Sequence, residues 1–176
     1  MKQEYLIRSL NSEEAKKILL ELCELLIDTV SNGASIGFLP PLSFEVASAY
    51  WTSVIDDLDS GNRVLLLAHN ESEVFGAVQL EIATKENAQH RAEIQKLMVH
   101  TQHRNKGIAK ALMMEVEDIA RAKGRRLLVL DTKQGDMAEK LYEKWNYIRA
   151  GAIPHYAKCA DGKLHSTVLF YKFFED

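Results

Sequence analysis

The stretch that most restricts the fold lies in the middle of the chain. The apolar residues Leu97, Met98 and Val99 run through His103-Arg104-Asn105-Lys106-Gly107-Ile108-Ala109-Lys110 into a long helical pattern that closes near Gly124. A second strand pattern over residues 126–130, apolar from Leu127 to Leu130, follows at once. Two strands separated by a whole helix pair in parallel, because a parallel return needs a long crossover whereas an antiparallel one needs only a tight turn. A βαβ unit is therefore expected here.

The junction between strand and helix reads as an anion site. A helix start leaves several N–H groups without partners and carries partial positive charge, so a loop of small residues there can wrap phosphate groups. Gly107 and Ala109 let the backbone come close, and Arg104 and Lys106 add full charges. Neither G-x-G-x-x-G nor G-K-[ST] occurs, which separates this loop from the two familiar nucleotide fingerprints. Residues 96–126 hold eight Lys/Arg and three Asp/Glu, whereas the remainder holds fourteen and twenty-two, so positive potential is concentrated around this loop in a chain of net charge −3. An anionic small molecule suits that field. Nucleic acid does not, because the chain is acidic overall and the basic segment has no interleaved aromatics for base stacking.

The remaining pattern gives an order of elements. Residues 5–8 read as a strand. Asn11-x-x-Glu14 is a capping-box pattern, and Ala15, Ile18, Leu19, Leu22, Leu25, Leu26 and Val30 keep one face of a single helix apolar until Ser31-Asn32-Gly33. The loop Gly37-Phe38-Leu39-Pro40-Pro41 leads to a helix opened by Ser43 and closed at Asp59-Ser60-Gly61-Asn62. Residues 64–68 and 74–82 form a hairpin, 84–90 a polar turn and 91–99 the strand before the crossover. Asp136-x-x-Glu139, a second capping-box pattern, opens the last helix, and residues 147–153 and 164–173 make two final strands. The sum is a single α/β domain over residues 1–176, a mixed sheet of about seven strands flanked by about four helices.

Arg104-x-x-Gly107-x-Ala109 matches the coenzyme A signature Q/R-x-x-G-x-G/A, and the chain resembles the GNAT N-acetyltransferases, whose fold has this same order of elements. The resemblance covers essentially the whole chain. Within the superfamily, Phe38-Leu39-Pro40-Pro41-Leu42, the run Ala92-Glu93-Ile94-Gln95-Lys96-Leu97-Met98-Val99 and Pro154-His155-Tyr156 are most similar to the tabtoxin-resistance type. The resemblance implies acetyl-CoA as cosubstrate. Its diphosphate would be held by Arg104, Asn105, Lys106, Gly107, Ile108, Ala109 and Lys110, and its pantetheine amides by the backbone of Leu97, Met98 and Val99. The implied acceptor is the amine of a small molecule, a toxin or antibiotic for the tabtoxin-resistance type, and a homodimer is compatible with the family. An acetyltransferase for protein amines and a non-catalytic acyl-CoA-binding module stay open as alternatives.

Acetyl transfer to an amine needs a group that takes the amine proton, donors for the oxyanion, and a proton for the departing thiolate. Glu93 is the first candidate base, eleven positions before Arg104, where lysine-acetylating relatives resemble it in carrying a glutamate. Simple alternation puts Glu93 on one strand face with Gln95, Leu97 and Val99, and Ile94 and Met98 on the other. A solvated edge carboxylate is the competing reading. Asp131 closes the run over residues 127–130 at the carboxyl end of a parallel strand, where it either shares a proton relay or caps the turn before Thr132. Tyr142 lies in a segment similar to the family's A-x-x-L-Y-x-x-x-G-F, with Asn146-Tyr147 in place of Gly-Phe. A phenol with a pKa of about 10 stays protonated at neutral pH and can donate to the leaving sulfur, and a plain core tyrosine is the competing reading.

Phe38, Leu39 and Pro40 read as an apolar substrate wall or a plug under the sheet, and His155 and Tyr156 as substrate contacts or a structural turn. His100 and His103 match no metal spacing, so no metal is expected. Cys23 and Cys159 show neither a disulfide framework nor a nucleophile arrangement, and no G-x-S-x-G elbow occurs, which favours direct attack in a ternary complex. With an early acidic residue and no long apolar run at Met1-Lys2-Gln3-Glu4, the reading is a cytoplasmic protein without a membrane partner.

Overall fold

Val64, Leu66 and Ala68 alternate with Leu65 and Leu67, and all five are buried, because this strand is covered on both faces. It belongs to a seven-stranded sheet in a computed structural model that describes residues 5–175; residues 1–4, where the absence of an export signal was read, and residue 176 lie outside the described residues. The strands are β1 (Leu6–Leu10), β2 (Arg63–His69), β3 (Val74–Ile82), β4 (Arg91–Val99), β5 (Leu127–Lys133), β6 (Ile148–Lys158) and β7 (Leu164–Phe173). Their spatial order is β1-β2-β3-β4-β5-β7-β6, every neighbouring pair antiparallel except β4 and β5. The helices are α1 (Ser12–Lys17), α2 (Leu19–Ser31), α3 (Phe44–Leu58), α4 (Ile108–Ala122) and α5 (Met137–Lys144). The expected mixed sheet and βαβ crossover are both present.

Two apolar layers sandwich the sheet. Leu22, Leu25, Leu26, Trp51 and Ile55 from α2 and α3 pack on Leu65, Leu67 and Met98, while Leu112, Met113 and Val116 from α4 and Tyr142 from α5 pack with Leu66, Leu80, Ile94, Leu128 and Phe170. Each fully buried aliphatic side chain contributes on the order of 1.5–3 kcal/mol. None of the helices among the described residues is long and apolar enough to cross a membrane.

Local signals in the sequence coincide with most element starts. Asn11 accepts the Glu14 N–H at 2.8 Å and Glu14 accepts the Asn11 N–H at 3.1 Å, completing the capping box. Three details differ. The first helix is two, divided at Ile18 (φ −116°), because apolar spacing continues across the break and carries no sign of it. The Glu139 carboxylate accepts from Gly135 N–H at 2.8 Å instead of closing a box onto Asp136, whose side chain does not cap α5. The strand expected to end at residue 153 runs on to Lys158, because a register shift between Ile153 and Ala157 absorbs Pro154 and leaves His155 at φ 54°.

Candidate active site

β4 and β5 pair only at Arg91 with Leu127, Ala92 with Leu128 and Glu93 with Val129. Beyond that point β4 follows β3 as far as Val99, β5 follows β7 as far as Lys133, and the two strands part. A cleft of about 350 Å³ opens between them, lined by Glu93 to Leu97 of β4, Asp131 to Lys133 of β5, Ala138 and Tyr142 of α5, Ser35 to Gly37 of the loop before α3, and Tyr156 of β6. From Ile94 onward the β4 edge facing β5 has no strand partner, so an extended ligand bearing amides can pair with it.

A bulge sets which side chains enter the cleft. Gln95 stands opposite Gln79 and Met98 opposite Ala77, so Lys96 and Leu97 together face the single residue Val78, and Lys96 adopts φ 51°. The extra residue reverses the alternation. Glu93 and Gln95 lie on the α3 side of the sheet, the side of Met98, whereas Ile94 packs with Leu97 and Val99 beneath α4. This corrects the expectation that Glu93 shares a face with Leu97 and Val99. A left-handed backbone at a non-glycine residue costs on the order of 1–3 kcal/mol, which the paired strand around it supports.

Glu93 is held from the α3 side. Gln95 Nε2 donates to Glu93 Oε1 at 3.0 Å and to Glu81 Oε2 at 2.8 Å, and the Arg63 guanidinium donates to Gln79 Oε1 at 2.9 Å and Gln95 Oε1 at 3.4 Å. Gln79 Nε2 in turn donates to the Tyr50 hydroxyl at 2.9 Å, whose pKa burial raises. None of Gln95, Arg63, Gln79 or Tyr50 stood out in the sequence. The available signal was polar residues at alternate positions, Gln79 and Glu81 on β3 and Glu93 and Gln95 on β4, within otherwise apolar strands.

Asp131 is exposed at the carboxyl end of β5, and the Thr167 hydroxyl donates to it at 2.8 Å while also approaching Thr132 C=O at 2.9 Å. Tyr142 is buried among Trp145, Tyr147 and Phe170, with ring centroids 5.8, 5.8 and 5.9 Å away. Burial, reinforced by the charge of Asp131, pushes its pKa up, so the phenol stays protonated. Its hydroxyl has no hydrogen-bond partner among the described residues, yet the residue lines the cleft. Lys96 also lines the cleft, half-buried, its ammonium 5.9 Å from the centroid of the Tyr50 ring.

At the far end of β4, the Thr101 N–H and hydroxyl bind the two Asp28 carboxylate oxygens at 2.9 and 2.8 Å, tying the loop to α2. A short 3-10 turn, Thr101–His103, follows. Asn105 (φ 63°) and Gly107 (φ 80°) then turn the chain into α4. Gly107 supplies no side chain to cap the helix, and a Cβ there would meet nothing within 4 Å. The first intrahelical bond at this end is Ala111 N–H to Gly107 C=O at 3.1 Å, which leaves the N–H groups of Ile108, Ala109 and Lys110 without an intrahelical acceptor. Buried Ile108 anchors the turn, and exposed Arg104, Lys106 and Lys110 surround it. Lys106 Nζ lies 3.3 Å from His103 Nδ1, and burial followed by the charge of Lys106 lowers the His103 pKa. Open backbone donors ringed by cations fit a diphosphate. Among the described residues, no group of three or more His, Cys, Asp or Glu is placed to hold a metal.

Glu93, Asp131, Tyr142, Leu97 and Tyr156 thus line one cleft. Met98 is fully buried, so it can meet a ligand through its backbone alone. Phe38 packs edge-on against Tyr50 at 5.2 Å on the α3 side, Leu39 is exposed outside the cleft lining, and His155 stands beside Tyr156 without lining it.

The acetyltransferase (GNAT) family model matches residues 22–147. An uncharacterized N-acetyltransferase of Azospirillum brasilense is 32% identical over 116 residues, covering 65% of this chain and 67% of that protein. An N-acetyltransferase structure from Staphylococcus aureus Mu50 superposes with a TM-score of 0.79 at 19% identity, covering 98% of this chain and 100% of the other. A Salmonella typhimurium acetyltransferase structure containing its cofactor acetyl-CoA gives 0.76 at 16% identity, covering 99% and 96%. At these identities the two structures speak for the fold. The family match over residues 22–147, with the 32% identical relative, establishes that this chain belongs to the GNAT family of acetyltransferases.

Proposed function

We propose that this protein is an acetyl-CoA-dependent N-acetyltransferase that passes an acetyl group to the amine of a small molecule by direct attack within a ternary complex. The observation that carries the reading is the parting of β4 and β5, which opens a strand edge beside Glu93, Asp131 and Tyr142 in one cleft. The uncapped turn at Gly107, with Arg104 and Lys106, suits the diphosphate, and the unpartnered β4 edge over Leu97, Met98 and Val99 suits the pantetheine amides. When bound, acetyl-CoA supplies an activated thioester.

The chain's own groups do the rest. Glu93, oriented by Gln95, and Asp131, oriented by Thr167, attract the acceptor ammonium and accept its proton, directly or through water. Tyr142, kept protonated by burial, donates to the departing sulfur. Glu93 and Asp131 lie in this one cleft, which suits a cationic amine as acceptor.

Calorimetry with acetyl-CoA, followed by thiol release over a panel of small amines, toxin and antibiotic amines and peptides, tests this. Heat on binding and faster turnover of a small amine than of any peptide is the expected result. No heat overturns the cofactor assignment, binding without transfer overturns the catalytic one, and preferred peptides overturn the small-molecule one.

A further inference from the structure

We propose that Lys96 is the specificity-determining residue of the acceptor site, anchoring a carboxylate, and that the acceptor is a compact zwitterion of the α-amino-acid class whose ammonium lies against Glu93 and Asp131. The inference rests on the transferase reading of the same cleft and narrows its substrate class.

The lysine ammonium offers three donors and no acceptor. Among the described residues it has no hydrogen bond and no carboxylate within 4.0 Å, although it is half-buried. Its neighbours include the Tyr50 ring at 5.9 Å, the outer limit of a cation–π contact, and Gly37, whose added Cβ would stand 3.5 Å from Nζ. With no side chain committed to it, this solvent-reached ammonium can exchange water for the carboxylate of a ligand. The backbone is committed to this placement, since the bulge holds Lys96 at φ 51° and points its side chain into the cleft opening. The neighbouring cation Arg63 is by contrast engaged by Asp57, Glu81, Gln79 and Gln95.

The charges around Lys96 set what can satisfy it. Burial lowers its pKa, Arg63 acts in the same direction, and Asp131 and Glu93 oppose both, so the two carboxylates are within electrostatic reach without being bonded to it. A ligand carrying only an anion would be repelled by Glu93 and Asp131, and one carrying only an ammonium would be repelled by Lys96. A molecule with both charges a few bonds apart meets favourable fields at each end.

The test compares three acceptor sets sharing the same side chains, namely free amino acids, their α-carboxamides and the corresponding decarboxylated amines, in wild type, Lys96→Met and Lys96→Arg, with acetyl-CoA binding measured on each. Wild type is expected to favour the free amino acid by about 10- to 100-fold in kcat/KM, the range of a charge-assisted hydrogen bond. Lys96→Met removes that preference while leaving acetyl-CoA affinity within about twofold, and Lys96→Arg restores part of it. Wild type that treats the three sets alike, or Lys96→Met that slows all of them equally, overturns the assignment and leaves the transferase reading standing. Failure of every amine while acetyl-CoA binds overturns the transferase reading itself.

Discussion

The Tyr142 hydroxyl has no hydrogen-bond partner among the described residues, so its chemistry can be separated from the packing of its ring. Tyr142→Phe keeps the contacts with Trp145, Tyr147 and Phe170 and deletes the donor alone. The melting temperature should move by no more than about 2 °C, while kcat falls about 100-fold and acetyl-CoA affinity holds, measured by scanning calorimetry, steady-state rates and titration. An unchanged kcat would remove Tyr142 from the chemistry. Thr167 is the corresponding positioning residue for Asp131. Thr167→Val preserves shape and deletes the bond, and because Asp131 is exposed, water replaces the lost donor. The expected loss is about 1 kcal/mol, a three- to tenfold fall in kcat/KM, rescued by Thr167→Ser. A similar segment and a strand end point in the sequence to Tyr142 and Asp131, both of which line the cleft, whereas no such pattern points to Thr167 or Lys96. Thr167 meets Asp131 across 36 positions and the proposed partner of Lys96 is a ligand, neither of which a local pattern encodes, while Gln95 shows only as one of the alternating polar residues on β3 and β4.

At the scale of elements, hydrophobic period and caps were readable because they arise within each segment. The capping box at Asn11, the opening by Ser43, the β2–β3 hairpin and the βαβ crossover all follow from residues a few positions apart. Asn146 in place of the family's glycine also has a local account, since it follows the last turn of α5 at φ 63°, a conformation asparagine tolerates. What escaped the sequence is relational. The β4 bulge exists because two residues face one on β3, and the cleft exists because β4 and β5 stop pairing after Glu93 and Val129. Gly76 shows how closely β3 must approach β4 for this to work, since a Cβ there would meet Met98 C=O at 2.5 Å and Val99 Cα at 3.3 Å. Both are backbone atoms and cannot swing aside. Gly76→Ala should therefore destabilise the fold by about 1–3 kcal/mol in urea titration and weaken acetyl-CoA binding by displacing the edge that receives it. Neutral behaviour on both counts would show that this part of β4 is not held in place by β3.

At the scale of the whole molecule, the two halves of the sheet are joined at β4 and β5 by three residue pairs, while one apolar layer, with Ile94 and Leu112 on one side and Leu128 and Phe170 on the other, runs across the joint. Shared packing makes a single cooperative unfolding transition the expected behaviour, and a ligand lodged in the split engages both halves of that unit. Acetyl-CoA at about 100 times its Kd should stabilise by about 2.7 kcal/mol and raise the melting temperature of a chain this size by roughly 5–10 °C. The basic segment over residues 96–126 supplies much of the attraction against an otherwise acidic chain, with Arg104, Lys106 and Lys110 all exposed to solvent. Exposed charges are screened, so at fixed ligand concentration the rise should shrink as sodium chloride increases from about 0.05 to 0.5 M, over which the Debye length contracts severalfold. Gly107→Ala separates backbone from charge: it leaves every cation in place, strains the φ 80° turn by on the order of 1 kcal/mol and should need more ligand for the same rise at every salt concentration. A thermal shift insensitive to both salt and Gly107→Ala would mean that acetyl-CoA is held somewhere other than the turn into α4.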